Sequence, residues 1–123
     1  LMRTLILIFS IFFFSSSSAH ESREYGFAMT TNNECENYDE AITIFKELNT
    51  YIETNTPYST FMRCGMNLQG QLGCLVMTEN YQTYEENMSW AETDETWNRL
   101  IRQAWKVCGI DDFGFGSEAI SFE

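Results

Sequence analysis

Residues 58–78 read YSTFMRCGMNLQGQLGCLVMT, and the spacing of their side chains decides the fold. Tyr58, Thr60, Met62, Cys64 and Met66 fall on one face of an extended strand, and Ser59, Phe61, Arg63 and Gly65 on the other. A second extended run, rich in Leu, Val and Met, follows from Gln71 to Thr78. Between the runs, Leu68, Gln69 and Gly70 form a three-residue hairpin loop, with Gly70 supplying the positive φ that glycine adopts without steric cost. That register sets Cys64 opposite Cys74. A slip of one residue would set Cys64 opposite Gly73 and give the whole arm new partners.

Upstream of the hairpin, Tyr38, Ala41, Ile42, Phe45, Leu48 and Ile52 recur at three- and four-residue steps, which predicts an amphipathic helix. Asn37 is its expected cap, Asp39 and Glu40 sit in its first turn, and Asn55-Thr56-Pro57 ends it. Still earlier, Tyr25, Phe27 and Met29 alternate with Gly26, Ala28 and Thr30, a short first strand before a polar turn at residues 31–34.

Downstream, residues 79–88 read as a polar, tyrosine-containing linker with Glu85 and Glu86 in its middle. Trp97, Leu100, Ile101, Ala104, Trp105 and Cys108 then give the clearest helical stripe in the chain. Ser89 with Glu92, or Thr93 ahead of Asp94 and Glu95, is expected to cap that helix; Gly109 ends it, with Arg102 and Lys106 near its negative end. Residues 119–122 are expected to add a last strand. The fold class is therefore α+β: a small antiparallel sheet built on the 58–78 hairpin with two helices on one face, an order compatible with the ferredoxin-like βαββαβ arrangement.

Residues 1–19 carry one positive charge at Arg3, an apolar run from Leu5 to Phe14 and a serine stretch ending Ser17-Ser18-Ala19. This is the order of a secretory signal peptide cleaved before His20, and it is too short for a spanning helix. Residues 20–123 are then a single disulfide-stabilised domain with no integral membrane segment in the mature chain. The net charge of −11 becomes one unit more negative without Arg3, which excludes nucleic acid and a bare anionic membrane surface as natural partners.

Four cysteines in a small exported chain read as two disulfides formed in a secreted or periplasmic setting, whereas a zinc site lacks the close C-x₂₋₄-C pair it needs. The direction of the elements gathers Cys35, Cys64, Cys74 and Cys108 at one end. All three pairings stay open; Cys35 with Cys108 and Cys64 with Cys74 is preferred, followed by the sequential Cys35 with Cys64 and Cys74 with Cys108.

Catalytic groups are scarce. His20 is the one histidine, so imidazole-based triads are excluded, and a copper oxygenase site would need a second. Glu85, Glu86, Asp111 and Asp112 are the nominal acid–base pairs, but adjacent acids are expected on the solvated surface of so acidic a chain. None sits in a D-x-D-x-D-G calcium loop. Arg99, Arg102 and Lys106 form an exposed basic stripe that dipole compensation explains. Met62, Met66 and Met77 read as core filler, and Trp97 and Trp105 as core.

Gln69-Gly70-Gln71-Leu72-Gly73 resembles the Q-x-V-x-G loop of cystatin-type protease inhibitors, although Gln71 replaces the valine, the cysteines are placed differently and a second long helix follows. No family is assigned on that basis. Asn87-Met88-Ser89 is an N-glycosylation acceptor in a eukaryotic source.

The sequence thus points to a small acidic binding or inhibitory module without catalysis, metal or cofactor. Its expected contacts with a protein or peptide partner are Leu68 and Gln69 on the hairpin loop and Tyr81, Tyr84 and Trp90 on or beside the linker. The alternatives are a carboxylate-dependent hydrolase of glycans or peptidoglycan, and an exported structural or envelope-associated protein.

Overall fold

The computed structural model describes residues 25–110 and 116–123. Its elements run β1 (Phe27–Asn33), α1 (Tyr38–Asn55), β2 (Thr60–Met66), β3 (Leu72–Thr78), α2 (Tyr81–Thr93), α3 (Glu95–Cys108) and β4 (Gly116–Ser121). The strands form one antiparallel sheet in the order β2-β3-β1-β4, so β3 lies between β1 and β2 in a split βαβ unit. The fold is α+β with a small sheet, and its strand order is compatible with the ferredoxin-like arrangement.

The hairpin has the expected register. Cys64 pairs with Cys74, Gly70 takes φ of 79°, and the loop is closed by backbone bonds between Asn67 and Gln71 and between Gly70 and Asn67. Asn67 contributes more than its backbone: its Oδ1 accepts from the amides of Gln69 and Gln71, both at 2.9 Å. The four cysteines are joined as Cys35–Cys108 and Cys64–Cys74, with Cα atoms 4.1 and 4.0 Å apart.

Four local readings are corrected. Residues 31–33 continue β1 instead of turning, because Thr31, Asn32 and Asn33 find partners on β3 and Thr31 and Asn32 also pair with β4. The polar stretch after the hairpin is a helix, α2, so the described residues form three helices where two were expected. Asn80 starts α2 by accepting from the Thr83 amide at 2.8 Å, and Tyr84, Asn87, Met88 and Ala91 turn to its inner side at i, i+3, i+4 and i+7.

At the other two helix starts, the predicted caps are displaced. Asn37 makes no side-chain cap to α1 and instead donates to the Val107 carbonyl at 3.1 Å, tying α1 to the end of α3. The cap of α3 is Asp94, which accepts from Trp97 N at 2.9 Å, one residue beyond Thr93. Gly109 ends α3 in the left-handed conformation.

Sheet and helices meet along the face of Phe27, Met62, Leu72, Cys74 and Thr78. On the helix side, Phe45, Leu48 and Ile52 of α1 pack with Leu100, Ile101 and Ala104 of α3. Helix α3 rests chiefly on α1, while α1 is the helix that packs on β2. This offset leaves a gap between α3 and the middle of the sheet. Among the described residues, no helix is long and apolar enough to cross a membrane.

Candidate functional site

The gap is an apolar cleft of about 300 Å³. Its floor is the helix-facing side of three strands: Met29 and Thr31 of β1, Thr60 and Met62 of β2, and Cys74 and Val76 of β3. Phe45 and Ile52 of α1 close the back, Trp97, Ile101 and Trp105 of α3 form one wall, and Tyr84, Asn87 and Met88 of α2 the other. Met29, Val76 and Met88 stay half-buried although they face the helices, so the cleft reaches solvent above the central strands.

The wall of α2 is held by specific bonds. Thr56, just past α1, donates to Asn87 Oδ1 at 2.5 Å, and Tyr84 donates to the Met29 sulfur at 3.1 Å. At the corner between α2 and α3, Asn98 Nδ2 lies 3.0, 3.1 and 2.8 Å from the carbonyls of Ala91, Glu92 and Asp94. These contacts keep α2 standing over the sheet without filling the space beneath it.

The polar side chains among the described lining are Thr31, Thr60, Tyr84 and Asn87, with the indoles of Trp97 and Trp105. Thr60 Oγ1 has almost no accessible surface and no hydrogen-bond partner among the described residues, which is costly for a hydroxyl. Tyr84 bonds only a thioether, a weak acceptor, and burial holds its phenol above the ordinary value of 10, with the neighbouring Tyr81 adding to the effect. Among the described residues the lining contains no carboxylate, histidine, lysine or free thiol, since Cys74 is bonded to Cys64. What it offers chemically is apolar contact and hydrogen bonding through neutral groups.

The residues singled out in the sequence scatter around this cleft. Tyr84 lines it. Tyr81 is half-exposed beside it, its ring 5.4 Å from Phe27 and 6.1 Å from Tyr84. Trp90 stacks on Tyr51 at 6.3 Å and packs on the core from outside the cleft, a more enclosed position than a binding aromatic was expected to take. Leu68 is fully exposed at the hairpin tip, and neither it nor Gln69 touches the cleft.

Asn87, read as a glycan acceptor, lies within α2 and is 5 % exposed, its Oδ1 accepting from Thr56. Of the methionines read as filler, Met62 lines the cleft, Met66 is exposed, and Met77 lies on the opposite sheet face. Arg99, Arg102 and Lys106 are exposed. Glu85 and Glu86 lie on α2 outside the cleft, and His20, Asp111 and Asp112 fall outside the described residues. Among the described residues no group of three His, Cys, Asp or Glu gathers in a metal-binding arrangement.

The sequence reading missed Thr60, Val76, Met29 and Met88 as site residues. The available signal was the Tyr84, Asn87, Met88, Ala91 spacing, obscured by an asparagine in an inward position and by the flanking glutamates.

No family model matches the chain, and neither a curated protein nor a solved structure is significantly similar to it.

Proposed function

We propose that this protein is an exported, disulfide-held binding module whose cleft takes a small, uncharged apolar molecule. Export is supported by the leader-like residues 1–19 together with the pairing of all four cysteines. The ligand class is carried by one observation: an apolar space of about 300 Å³ whose described lining holds no charged side chain. A cavity of about half that volume accommodates benzene, so the fitting molecule has roughly a dozen non-hydrogen atoms. The negative charge of the protein and the neutral lining favour an uncharged ligand over an anion.

Trp97 and Trp105 in the wall make the test direct. The oxidised protein is titrated with 1-naphthol and tryptophan quenching is followed. Saturable quenching is expected, abolished by Val76→Phe, which fills the cleft. Quenching that Val76→Phe leaves unchanged would dispose of the reading.

The hairpin supports a second, protein-directed reading on its own observation. Leu68 is a fully exposed apolar side chain on a loop braced by Asn67 and by the Cys64–Cys74 link, so presenting it to a partner requires little further ordering. If this loop inhibits a protease, titration against a panel of endopeptidases will show inhibition that Leu68→Ser loses. Absence of inhibition across the panel, or inhibition that the variant retains, removes this reading.

A further inference from the structure

The sheet has a second face that no described helix covers. Its side chains stand in rows across the strand order β2-β3-β1-β4. One row is Phe61, Met77, Ala28 and Ile120. The next is Arg63, Leu75, Thr30 and Glu118. The third is Gly65, Gly73, Asn32 and Gly116, which leaves almost no side chain above the backbone. Ile120, in the first row, and Phe122, just past the end of β4, are 59 % and 55 % exposed, an unusual position for large apolar groups on so acidic a protein.

We propose that this face receives a second copy of the chain, related by a two-fold axis parallel to the strands, so that β2 of one protomer lies over the partner's β4. Charge selects that axis. The middle row has its cation on β2 and its anion on β4, so a strand-parallel two-fold sets Arg63 against the partner subunit's Glu118, and the reverse. An axis across the strands through this row would instead bring like charges together. Arg63 already meets Glu53 at the β2 edge, and its guanidinium has further donors to offer.

Shape agrees with charge. The same operation sets Met77 over the partner's Ala28, Phe61 over the partner's Ile120 and Leu75 over the partner's Thr30, large against small or apolar against apolar. It also sets Gly73 over the partner's Asn32, where the missing side chain makes room. Two sheets stacked in this way pack about 10 Å apart with strands nearly aligned.

The extent of the face sets the strength. Four strands of about six residues cover roughly 400 Å², about half of what each partner contributes to an interface of standard size. The dimer is therefore weak, forming over roughly 10 µM to 1 mM, and the net charge of −11 on each chain makes it tighter at 150 mM salt than at 10 mM.

Sedimentation equilibrium of the oxidised protein tests the proposal. A monomer–dimer equilibrium is expected, weakened at least tenfold by Met77→Lys and by Ile120→Lys, with circular dichroism confirming that both variants fold. The sharper arm mixes Arg63→Glu with Glu118→Arg: each alone dimerises poorly, and together they form a heterodimer in which both ion pairs are restored. A protein monomeric at 1 mM, a dimer indifferent to both lysine variants, or no gain on mixing overturns the proposal.

Discussion

Tyr51 donates its phenolic hydrogen to Asp94 Oδ2 at 2.7 Å, and the same carboxylate oxygen accepts the Trp97 amide at 2.9 Å. One side chain thus starts α3 and ties it to α1. Asp94→Ala removes both roles and is expected to lower stability by about 1 to 2 kcal/mol, the range of a lost helix cap, measured by urea denaturation.

The same bond predicts the alkaline limit of the fold. The Tyr51 phenol is held above its ordinary value of 10, chiefly by the hydrogen bond to Asp94, and that of Tyr84 by burial. A phenol that keeps its proton more tightly in the folded chain contributes stability that is fully present below the unfolded value and lost as pH rises through the folded one. Unfolding free energy should therefore fall above about pH 10, less steeply in Tyr51→Phe. Equal slopes for the two proteins would contradict the assignment.

The two disulfides are expected to differ in worth. Cys35–Cys108 joins residues 73 positions apart and Cys64–Cys74 residues 10 apart. Loop-closure entropy gives about 4 kcal/mol for the first and about 3 kcal/mol for the second. The double alanine variant of the outer pair should have the lower melting temperature, and the reverse order would show that strain or residual unfolded structure outweighs chain entropy.

Thr60→Val is expected to stabilise the empty protein by about 1 kcal/mol, because it replaces a buried hydroxyl without a partner by a methyl of similar size. The urea midpoint should rise while the slope of the transition stays constant.

Gly70 and Gly109 share φ of 79°, and their alanine variants should cost alike. A Cβ at Gly70 meets nothing within 4 Å, whereas one at Gly109 would come within 2.6 Å of the Glu36 carboxyl carbon. The Glu36 carboxylate is the end of an exposed, flexible side chain and can move aside, so each substitution should cost about 1 kcal/mol of backbone strain. Thermal unfolding of the two variants side by side decides it.

The parts of the fold that were legible in the sequence were those with strict periodicity. The alternation around Cys64 and Cys74 fixed the hairpin register because a slip would have exposed the wrong face. The stripe from Trp97 to Cys108 marked α3 for the same reason. The rest depended on partners distant in sequence. Thr31, Asn32 and Asn33 are polar and read locally as a turn, but two neighbouring strands supply their backbone bonds. Helix α2 was hidden because Asn87, an inward position, takes its partner from Thr56. The cleft could not be read at all, since it arises from α3 resting on α1 instead of on the sheet. Of the partner contacts expected from sequence, Leu68, Gln69, Tyr81, Tyr84 and Trp90, Tyr84 is the one in its described lining.

The two sulfur bridges are nested: the span from Cys64 to Cys74 lies wholly inside the span from Cys35 to Cys108. A single cut in the backbone anywhere between the outer pair therefore severs no fragment, and the nicked chain remains one covalent molecule. In surroundings rich in endopeptidases such damage would pass unseen on a gel run without reductant, and the clipped product could keep its shape long after its main chain had been broken.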